Sequence, residues 1–437
     1  MKTVSENNIM KTVKGITTTL ICLFALNTAA QDFNEFFTDK TLRVNFILGG
    51  SSDQTEIFIQ NMNVMPKWYG RKNNLDKLPV YGNAQFELKD RKSGRTIYCN
   101  SLSTLFQEWQ TYPEAKTSKR SFENVILMPM PKDTALLSIT LRDNRQEVVK
   151  SITQTVAPSD ILIKEIGNAH TQYDVLQQAA DNDKCIHIAF LAEGYTEAGM
   201  DKFLKDAQTA TDALFNHEPF KTYKDRFNVI AVKSVSTDSG TSVPSKHVWK
   251  NTALGSNFDT FYSERYLTTL NLNRVHDQLA GTPYEHIIIL VNTDVYGGGG
   301  ILNFYNLSST DHKFYKPVIV HEFGHSFAGL ADEYAYESEP LELYPTDVEP
   351  WEENITTLVN FKGKWEDLIK KGTPTPTPES DNPKVKNTRV GLYRGAGYNT
   401  KNVYRGMQDC RMRTNTHPEF CIVCRRALEK LIKFYTE

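Results

Sequence analysis

Apolar and polar positions alternate with a period of two in the first third of the chain. Residues 42–48 and 137–141 place an apolar side chain at every second position, which is the period of a strand with one buried face. Residues 86–88 and 96–98 repeat this pattern on either side of the polar segment 90–94, and so predict a hairpin. Several short strands joined by polar turns predict a β-sandwich.

From residue 185 onward, the pattern is that of an α/β domain. Residues 186–191, 227–232 and 286–291 are nearly continuous apolar runs, as expected of strands that are buried on both faces. Apolar positions at helical spacing between 203 and 214 predict a helix. A second helix is predicted near the end of the chain, from about residue 418.

These patterns predict a multidomain protein in which an N-terminal β-sandwich precedes an α/β domain. We place the β-sandwich at residues 32–160, a polar linker at 161–184 and the α/β domain at 185–437.

Residues 1–30 are predicted to be a signal peptide. Lys11 and Lys14 precede the apolar segment 16–26, and small residues precede Gln31. The apolar segment is too short to span a bilayer comfortably. We therefore expect an exported protein, periplasmic or secreted, with neither a lipid anchor nor a membrane span.

The charge balance narrows the possible partners. The formal net charge is −2, so nothing favours nucleic acid or an anionic membrane surface. The sequence predicts no oligomeric state.

Five cysteines follow the predicted signal peptide, and an exported protein can oxidise them. They are Cys99, Cys185, Cys410, Cys421 and Cys424. The pair Cys421 and Cys424 has the spacing of a redox or zinc motif, with only Cys410 and His417 near it in sequence. A disulfide from Cys410 to one of the pair, or plain buried thiols, is the favoured interpretation.

The clearest chemical signal is the run His321-Glu322-Phe323-Gly324-His325. On a helix, predicted here over residues 313–328, two histidines four positions apart lie on one face. Both imidazoles can then bind one zinc ion, and Glu322 is placed to take a proton from the attacking water. The alternative is a helix with two ordinary histidines.

A third ligand is expected just beyond the helix. Gly329 can end the helix in a left-handed turn and reverse the chain. Either Asp332 or Glu333 then supplies a carboxylate, which leaves the fourth zinc position open for water.

A glycine-rich segment, residues 294–300, follows the predicted strand 286–291. It is either a flexible turn or a backbone edge that pairs with an extended peptide near the metal. The second interpretation makes Gly298 and Gly299 candidate substrate-binding residues. Residues 335–400 are long and irregular, and 373–378 predict an exposed linker.

The predicted helix that bears the two histidines, together with the end of the chain, resembles the metzincin-like zinc peptidases. Their signature is HExxHxxGxxH, or a version ending in Asp, followed by a turn bearing methionine beneath the metal. Here Gly329 and Asp332 each come one residue later than in that signature. The resemblance implies Asp332 as the third ligand, with Glu333 as the alternative.

A closer resemblance is to the bacterial IgA metallopeptidase family. It covers most of 180–437, and residues 32–160 resemble the β domain that precedes the catalytic domain in that family. The matching stretches are residues 237–241, 258–262, 296–299, 321–334, 404–413 and 418–420.

This resemblance implies zinc as the cofactor and a protein or peptide as the substrate, with immunoglobulin as one possibility. It implies that Met412 is the methionine of the turn, with Met407 as a competitor. It also makes Tyr404 and Arg413 candidates to bind a substrate carbonyl or the developing oxyanion. The family name alone does not fix the substrate.

The expected function is an exported zinc endopeptidase in which Glu322 activates water. The alternative is an exported protein that binds host protein or glycan and keeps a structural or vestigial zinc site. Since binding zinc does not require Glu322, its presence favours the enzyme. Hydrolysis of a small amide or ester is a third possibility.

Overall fold

The computed structural model describes residues 32–337, 343–382 and 384–437. The predicted signal peptide, residues 1–30, lies outside the described residues.

Two four-stranded sheets build the N-terminal part. Their strands are β1 (Phe37–Gly50), β2 (Thr55–Met65), β3 (Ala84–Asp90), β4 (Thr96–Leu102), β5 (Arg120–Pro131), β6 (Ala135–Arg142), β7 (Val148–Val156) and β8 (Lys164–Glu165). The orders are β5-β1-β2-β8 and β4-β3-β6-β7. All neighbours are antiparallel except β2 and β8. Two short helices, α1 (Phe33–Phe36) and α2 (Leu105–Trp109), accompany these sheets.

The alternating apolar positions account for these sheets. Leu42, Val44 and Phe46 of β1 are fully buried, as a period of two requires when one face meets the core. The predicted hairpin is confirmed, because β3 pairs with β4 across residues 90–95. Buried side chains of both sheets belong to one hydrophobic cluster.

A six-stranded mixed sheet forms the centre of the remaining chain. Its strands are β9 (Tyr173–Gln177), β10 (Ile186–Glu193), β11 (Phe227–Val232), β12 (His286–Val291), β13 (Gly298–Ile301) and β14 (Tyr305–Ser309), in the order β13-β14-β12-β10-β11-β9. The four inner strands are parallel, and β9 and β13 run antiparallel at the two edges. The three predicted buried strands are confirmed as β10, β11 and β12.

Helices and a small third sheet complete the part of the chain that the structure describes. The helices are α3 (Met200–Phe215), α4 (Leu272–Leu279), α5 (Tyr315–Ala328) and α6 (Ile422–Thr436). The third sheet has the order β15-β17-β16 and contains β15 (Ile355–Thr356), β16 (Tyr393–Ala396) and β17 (Asn399–Arg405). In the described part of the chain, no helix is long and apolar enough to cross a membrane.

The central sheet divides two cores. Side chains such as Leu191 and Ile289 face a cluster shared with α4 and both N-terminal sheets. Side chains such as Phe190 and Leu290 face a second cluster, shared with α3, α5 and α6. Each fully buried aliphatic side chain contributes about 1.5–3 kcal/mol, so burial in the second cluster holds α5 firmly against the sheet.

Two segments expected to lack regular structure contribute to the fold. In the predicted linker 161–184, β8 pairs with β2 and β9 pairs with β11. The prediction that residues 373–378 are an exposed linker is wrong at Thr377. This residue is buried, and its hydroxyl accepts a hydrogen bond from the Leu392 N–H. Residues 335–400 also contain β15 and β16.

Polar contacts connect the N-terminal part to the chain around the central sheet. Arg43, only 1% exposed, donates to the Asp277 carboxylate at 2.7 Å. The Tyr266 hydroxyl donates to the partly buried Glu108 carboxylate at 2.6 Å. Burial raises the pKa of Glu108 to about 7, although the hydrogen bond from Tyr266 opposes that rise.

The raised pKa of Glu108 predicts a pH-dependent stability. Above its ordinary pKa of 4.5 the unfolded chain releases a proton that the folded protein keeps until about pH 7. This group therefore lowers stability progressively as the pH rises through that interval. Relative to the native protein, Glu108→Gln should gain about 1–2 kcal/mol in free energy of unfolding between pH 4.5 and 7, since partial exposure weakens the full effect.

Denaturant unfolding at several pH values measures this difference. Tyr266→Phe is the matched control, since it keeps the carboxyl group and should retain the pH dependence. The prediction would be contradicted if the difference in free energy of unfolding between Glu108→Gln and the native protein stayed the same across this pH interval.

Candidate metal centre

Helix α5 carries the predicted metal-binding motif and ends where the sequence indicated. Gly329 adopts φ of +59°, and its N–H bonds to the His325 carbonyl. The Leu330 N–H reaches back to the Gly324 carbonyl at 3.2 Å. This left-handed C-terminus reverses the chain at once, so the residues after Gly329 pass back over the histidines.

Three side-chain atoms converge beside α5. His321 Nε2 and His325 Nε2 lie 3.0 Å apart, and both lie 3.1–3.2 Å from Asp332 Oδ1. Tetrahedral zinc with ligands at about 2.0–2.1 Å separates neighbouring ligand atoms by about 3.3 Å. The three atoms therefore have nearly the spacing of one face of such a tetrahedron.

Backbone carbonyls fix which imidazole nitrogen is available. His321 Nδ1 lies 2.9 Å from the Arg411 carbonyl, and His325 Nδ1 lies 2.5 Å from the Leu330 carbonyl. A carbonyl only accepts, so each Nδ1 carries a proton, and each Nε2 is the nitrogen that can bind a cation once it is deprotonated. Asp332 Oδ1 is buried without a hydrogen-bond donor. Three potential ligand atoms thus face one point, which suits a divalent cation.

Asp332 is held by its own partners. Its Oδ2 accepts a hydrogen bond from the Tyr398 hydroxyl at 3.0 Å, and its carbonyl accepts from the Gly397 N–H. Tyr334 and Tyr398 share a hydroxyl hydrogen bond of 2.9 Å. These contacts leave only Oδ1 directed at the histidines.

The local field of the site favours positive charge. Burial alone would lower the pKa of His325, yet the negative charge of the neighbouring Asp332 carboxylate raises it to about 9. Burial alone would raise the pKa of Asp332, and the two imidazoles instead hold it well below its usual range. Each shift has the direction expected for a cation drawn to a buried carboxylate.

Glu322 lies between this cluster and strand β13. Burial raises the pKa of Glu322, while the two histidines and the Gly300 N–H oppose the rise. A Cβ placed on Gly298 would lie 3.0 Å from Glu322 Oε1, and one placed on Gly300 would lie 2.1 Å from the Glu322 carbonyl oxygen. The strand therefore runs against α5 at a distance that only glycine permits.

Met412 lies beneath the same turn of α5. It is fully buried, and a Cβ on Gly324 would approach its Sδ to 2.7 Å. Its carbonyl accepts from the Glu333 N–H at 2.8 Å. The structure thus brings Met412, rather than Met407, to the helix turn between the two histidines.

The other residues predicted for the site make contacts of their own. The Glu333 carboxylate is buried on the opposite side of its segment, where it accepts from Cys424 Sγ and from Asn354. Tyr404 lies half-buried on β17 and packs against the core of the helices. Arg413 donates to the Gln408 carbonyl at 2.8 Å. Gly299 lies on β13 beside Gly298.

Sequence reasoning did not find Tyr398. It forms a two-residue turn with Gly397 between β16 and β17, and both residues have positive φ. A positive φ is an unfavourable backbone conformation for tyrosine. Tyr398 adopts it at the place where its hydroxyl contacts Asp332. Gly397 alone is a weak turn signal, and no spacing connects that turn with residue 332.

Comparison with known proteins agrees with this arrangement. The family model described as IgA Peptidase M64 matches residues 175–389 and 383–432, and the one described as Peptidase M64 N-terminus matches residues 32–153. Together these matches define a peptidase with an N-terminal domain before the peptidase domain. The chain belongs to the IgA peptidase M64 family, which confirms the resemblance predicted from its sequence motifs. No curated protein matches the chain.

The contact between β13 and α5 predicts that two adjacent glycines differ in tolerance. Gly300→Ala should lower the free energy of unfolding by about 1–3 kcal/mol, because its Cβ would overlap the Glu322 carbonyl. Gly299→Ala is the matched control, since its nearest neighbour would be a Tyr266 ring atom at 3.5 Å. Thermal and denaturant unfolding measure both variants. Equal destabilisation would show that α5 and β13 do not constrain each other.

Proposed function

We propose that this peptidase is a zinc-dependent endopeptidase. The observation that carries the proposal is the convergence of His321 Nε2, His325 Nε2 and Asp332 Oδ1 beside Glu322. Two imidazoles and one carboxylate are a ligand set that zinc accepts, with one position left for water or substrate. Zinc, when bound, supplies Lewis acidity to the attacking water and to the scissile carbonyl.

Glu322 acts as the proton carrier in this proposal. Its burial and the resulting rise in pKa bring its basicity nearer to neutral pH. The carboxylate takes a proton from the attacking water and then delivers it to the leaving amine nitrogen. Glu322 lies on the same helix face as the two histidines, so proton transfer and metal binding occur side by side.

Strand β13 is the proposed substrate edge. It lies at the outer end of the described sheet order, next to β14. Gly298 and Gly299 carry no side chains to keep an incoming chain at a distance. An extended peptide that pairs with this edge would pass directly over Glu322. Because an extended peptide continues in both directions, we propose cleavage within chains rather than at their ends.

The architecture and location form part of the same proposal. We infer that the N-terminal domain is a β-sandwich, since its two sheets bury side chains in one core. A helix bearing the histidines, a left-handed glycine turn and a methionine below them support a metzincin-like catalytic domain. The pattern of residues 1–30 supports export to the periplasm or beyond the cell.

The proposed substrates are proteins. The family's description names IgA, so immunoglobulin A is the first candidate to test within a mixture of proteins. Specificity would arise from the loops around the cleft, because the metal ligands and the base do not distinguish side chains.

The Glu322→Gln substitution tests the proposed base. It should retain zinc and the native melting temperature, yet reduce peptide hydrolysis by a factor of about 100 to 10,000, since general base catalysis contributes about that much. Cleavage is measured by sequencing the products from a mixed proteome that includes IgA. Glu35→Gln, an exposed change on α1, is the matched control and should cleave like the native protein.

Three results would contradict the proposal. Glu322→Gln that cleaves as fast as the native protein would exclude Glu322 as the base. Products that arise only by loss of terminal residues would exclude an endopeptidase. The third result concerns the ligands. If the His321→Ala and His325→Ala substitutions leave the zinc content per chain the same as in the native protein, these histidines do not bind zinc.

A further inference from the structure

We propose that Glu333, Cys410, Cys421 and Cys424 form a second metal site, for a thiophilic divalent cation such as zinc. One ligand atom from each residue lies within 4.8 Å of every other. All four residues are buried in the core between α5, α6 and the third sheet. This proposal does not depend on the proposed catalytic function.

The fold brings these four residues together from three segments. Glu333 follows the turn after α5, and Cys410 lies in the turn that carries Met412. Cys421 is the N-cap residue of α6, and Cys424 lies in its first turn. A cysteine at the N-cap and another three residues later place both thiols at one end of the helix.

The distances fit a tetrahedral thiolate site. Cys410 Sγ and Cys424 Sγ are 3.7 Å apart. With Zn–S bonds of about 2.3 Å, tetrahedral geometry separates two sulfur ligands by about 3.8 Å. Cys424 Sγ lies 3.0 Å from Glu333 Oε1, so the carboxylate is on the same side as the thiols.

Glu333 provides an independent sign of a missing ligand. It is 0% exposed, and its Oε2 has no hydrogen-bond partner. Its other oxygen accepts from the Asn354 amide at 3.0 Å. A buried carboxylate oxygen without a donor is costly. A cation bound by the thiolates would satisfy it, with Asn354 orienting the carboxylate from behind.

Nearby groups can balance the negative charge of such a site. The Cys421 N–H donates to Cys410 Sγ at 3.1 Å, and this amide lies at the positive end of α6. Arg405 and Arg411 are buried, and each has an Nε without a partner. Arg405 acts electrostatically on Glu333, and Arg411 on Cys410.

The thiols of the cluster differ in acidity. Burial raises the pKa of Cys410 and of Cys424. Burial also opposes ionisation of Cys421, but hydrogen bonds from the two other thiols and from α6 backbone amides lower its pKa. Metal binding would release the thiol protons to solvent as the metal–sulfur bonds form.

The cysteine spacing in the sequence favours a disulfide from Cys410 to Cys421 or Cys424, or plain buried thiols. In the described residues all five cysteines are free and buried. A disulfide would use two sulfurs and leave the third beside a carboxylate that still lacks a partner. A metal ion would use all four groups, including Glu333, which sequence spacing did not connect with the cysteines.

The test isolates this site in the full chain by removing the proposed catalytic ligands. The His321→Ala/His325→Ala variant should retain about one zinc per chain. X-ray absorption should give about three sulfur neighbours at about 2.3 Å. Cobalt loaded into the same variant should show thiolate-to-cobalt charge-transfer absorption. These readouts do not require enzymatic activity, so they remain valid if the proposed function fails.

Further substitutions in the same background assign the ligands. Cys424→Ser should lose the retained zinc, whereas Cys185→Ser, a buried cysteine outside the cluster, should keep it. Glu333→Gln preserves every thiol and should weaken zinc retention against a chelator at least tenfold. It remains informative if Cys424→Ser does not fold.

Two outcomes would overturn the proposal. One is a His321→Ala/His325→Ala variant that folds and contains no zinc. A mass lower by two hydrogens than that of its reduced chain would then identify a disulfide. The other is protein that takes up no zinc even when it is refolded with excess zinc. If every thiol of this protein then titrates after denaturation, the cysteines are ordinary buried thiols.

Discussion

The site depends on close backbone contact around helix α5, and three glycines make that contact possible. Gly300 brings β13 against the Glu322 carbonyl, and Gly324 admits the Met412 sulfur between the two histidines. Gly329 supplies the left-handed turn that returns the chain over the helix. A Cβ at either of the first two positions would move α5 relative to the sheet edge or to the methionine. The converging atoms lie where they do because backbone, rather than flexible side chains, sets these separations.

The periodicity of apolar residues predicted the buried strands of the central sheet, and the spacing of the two histidines predicted their helix. The runs that became β10, β11 and β12 are buried on both faces, and the α5 motif has helical spacing. The contacts that complete the site join distant segments, so periodicity does not contain them. Tyr398 approaches Asp332 across 66 residues, and burial of Thr377 depends on its pairing with Leu392.

The one-residue shift relative to the metzincin signature has a local structural explanation. Helix α5 continues to Ala328, so Gly329 begins the reversal one position later than the signature has it. The Leu330 carbonyl then meets His325 Nδ1, and Asp332 still reaches both Nε2 atoms. Gly329 and Asp332 are thus both one residue later than in that signature, and the three-residue spacing between them is the same.

Asp332 and Glu333 are neighbours in sequence, yet they do not compete for the same place beside the two histidines. In an extended segment neighbouring side chains point to opposite sides. Asp332 accordingly faces the histidines, and Glu333 faces the cysteines. The Glu333 N–H also bonds to the Met412 carbonyl, while the Arg411 carbonyl orients His321. The short turn from Cys410 to Met412 therefore contacts both clusters. Any group that fixes Glu333 to Cys410 also fixes the backbone that positions Asp332 and His321.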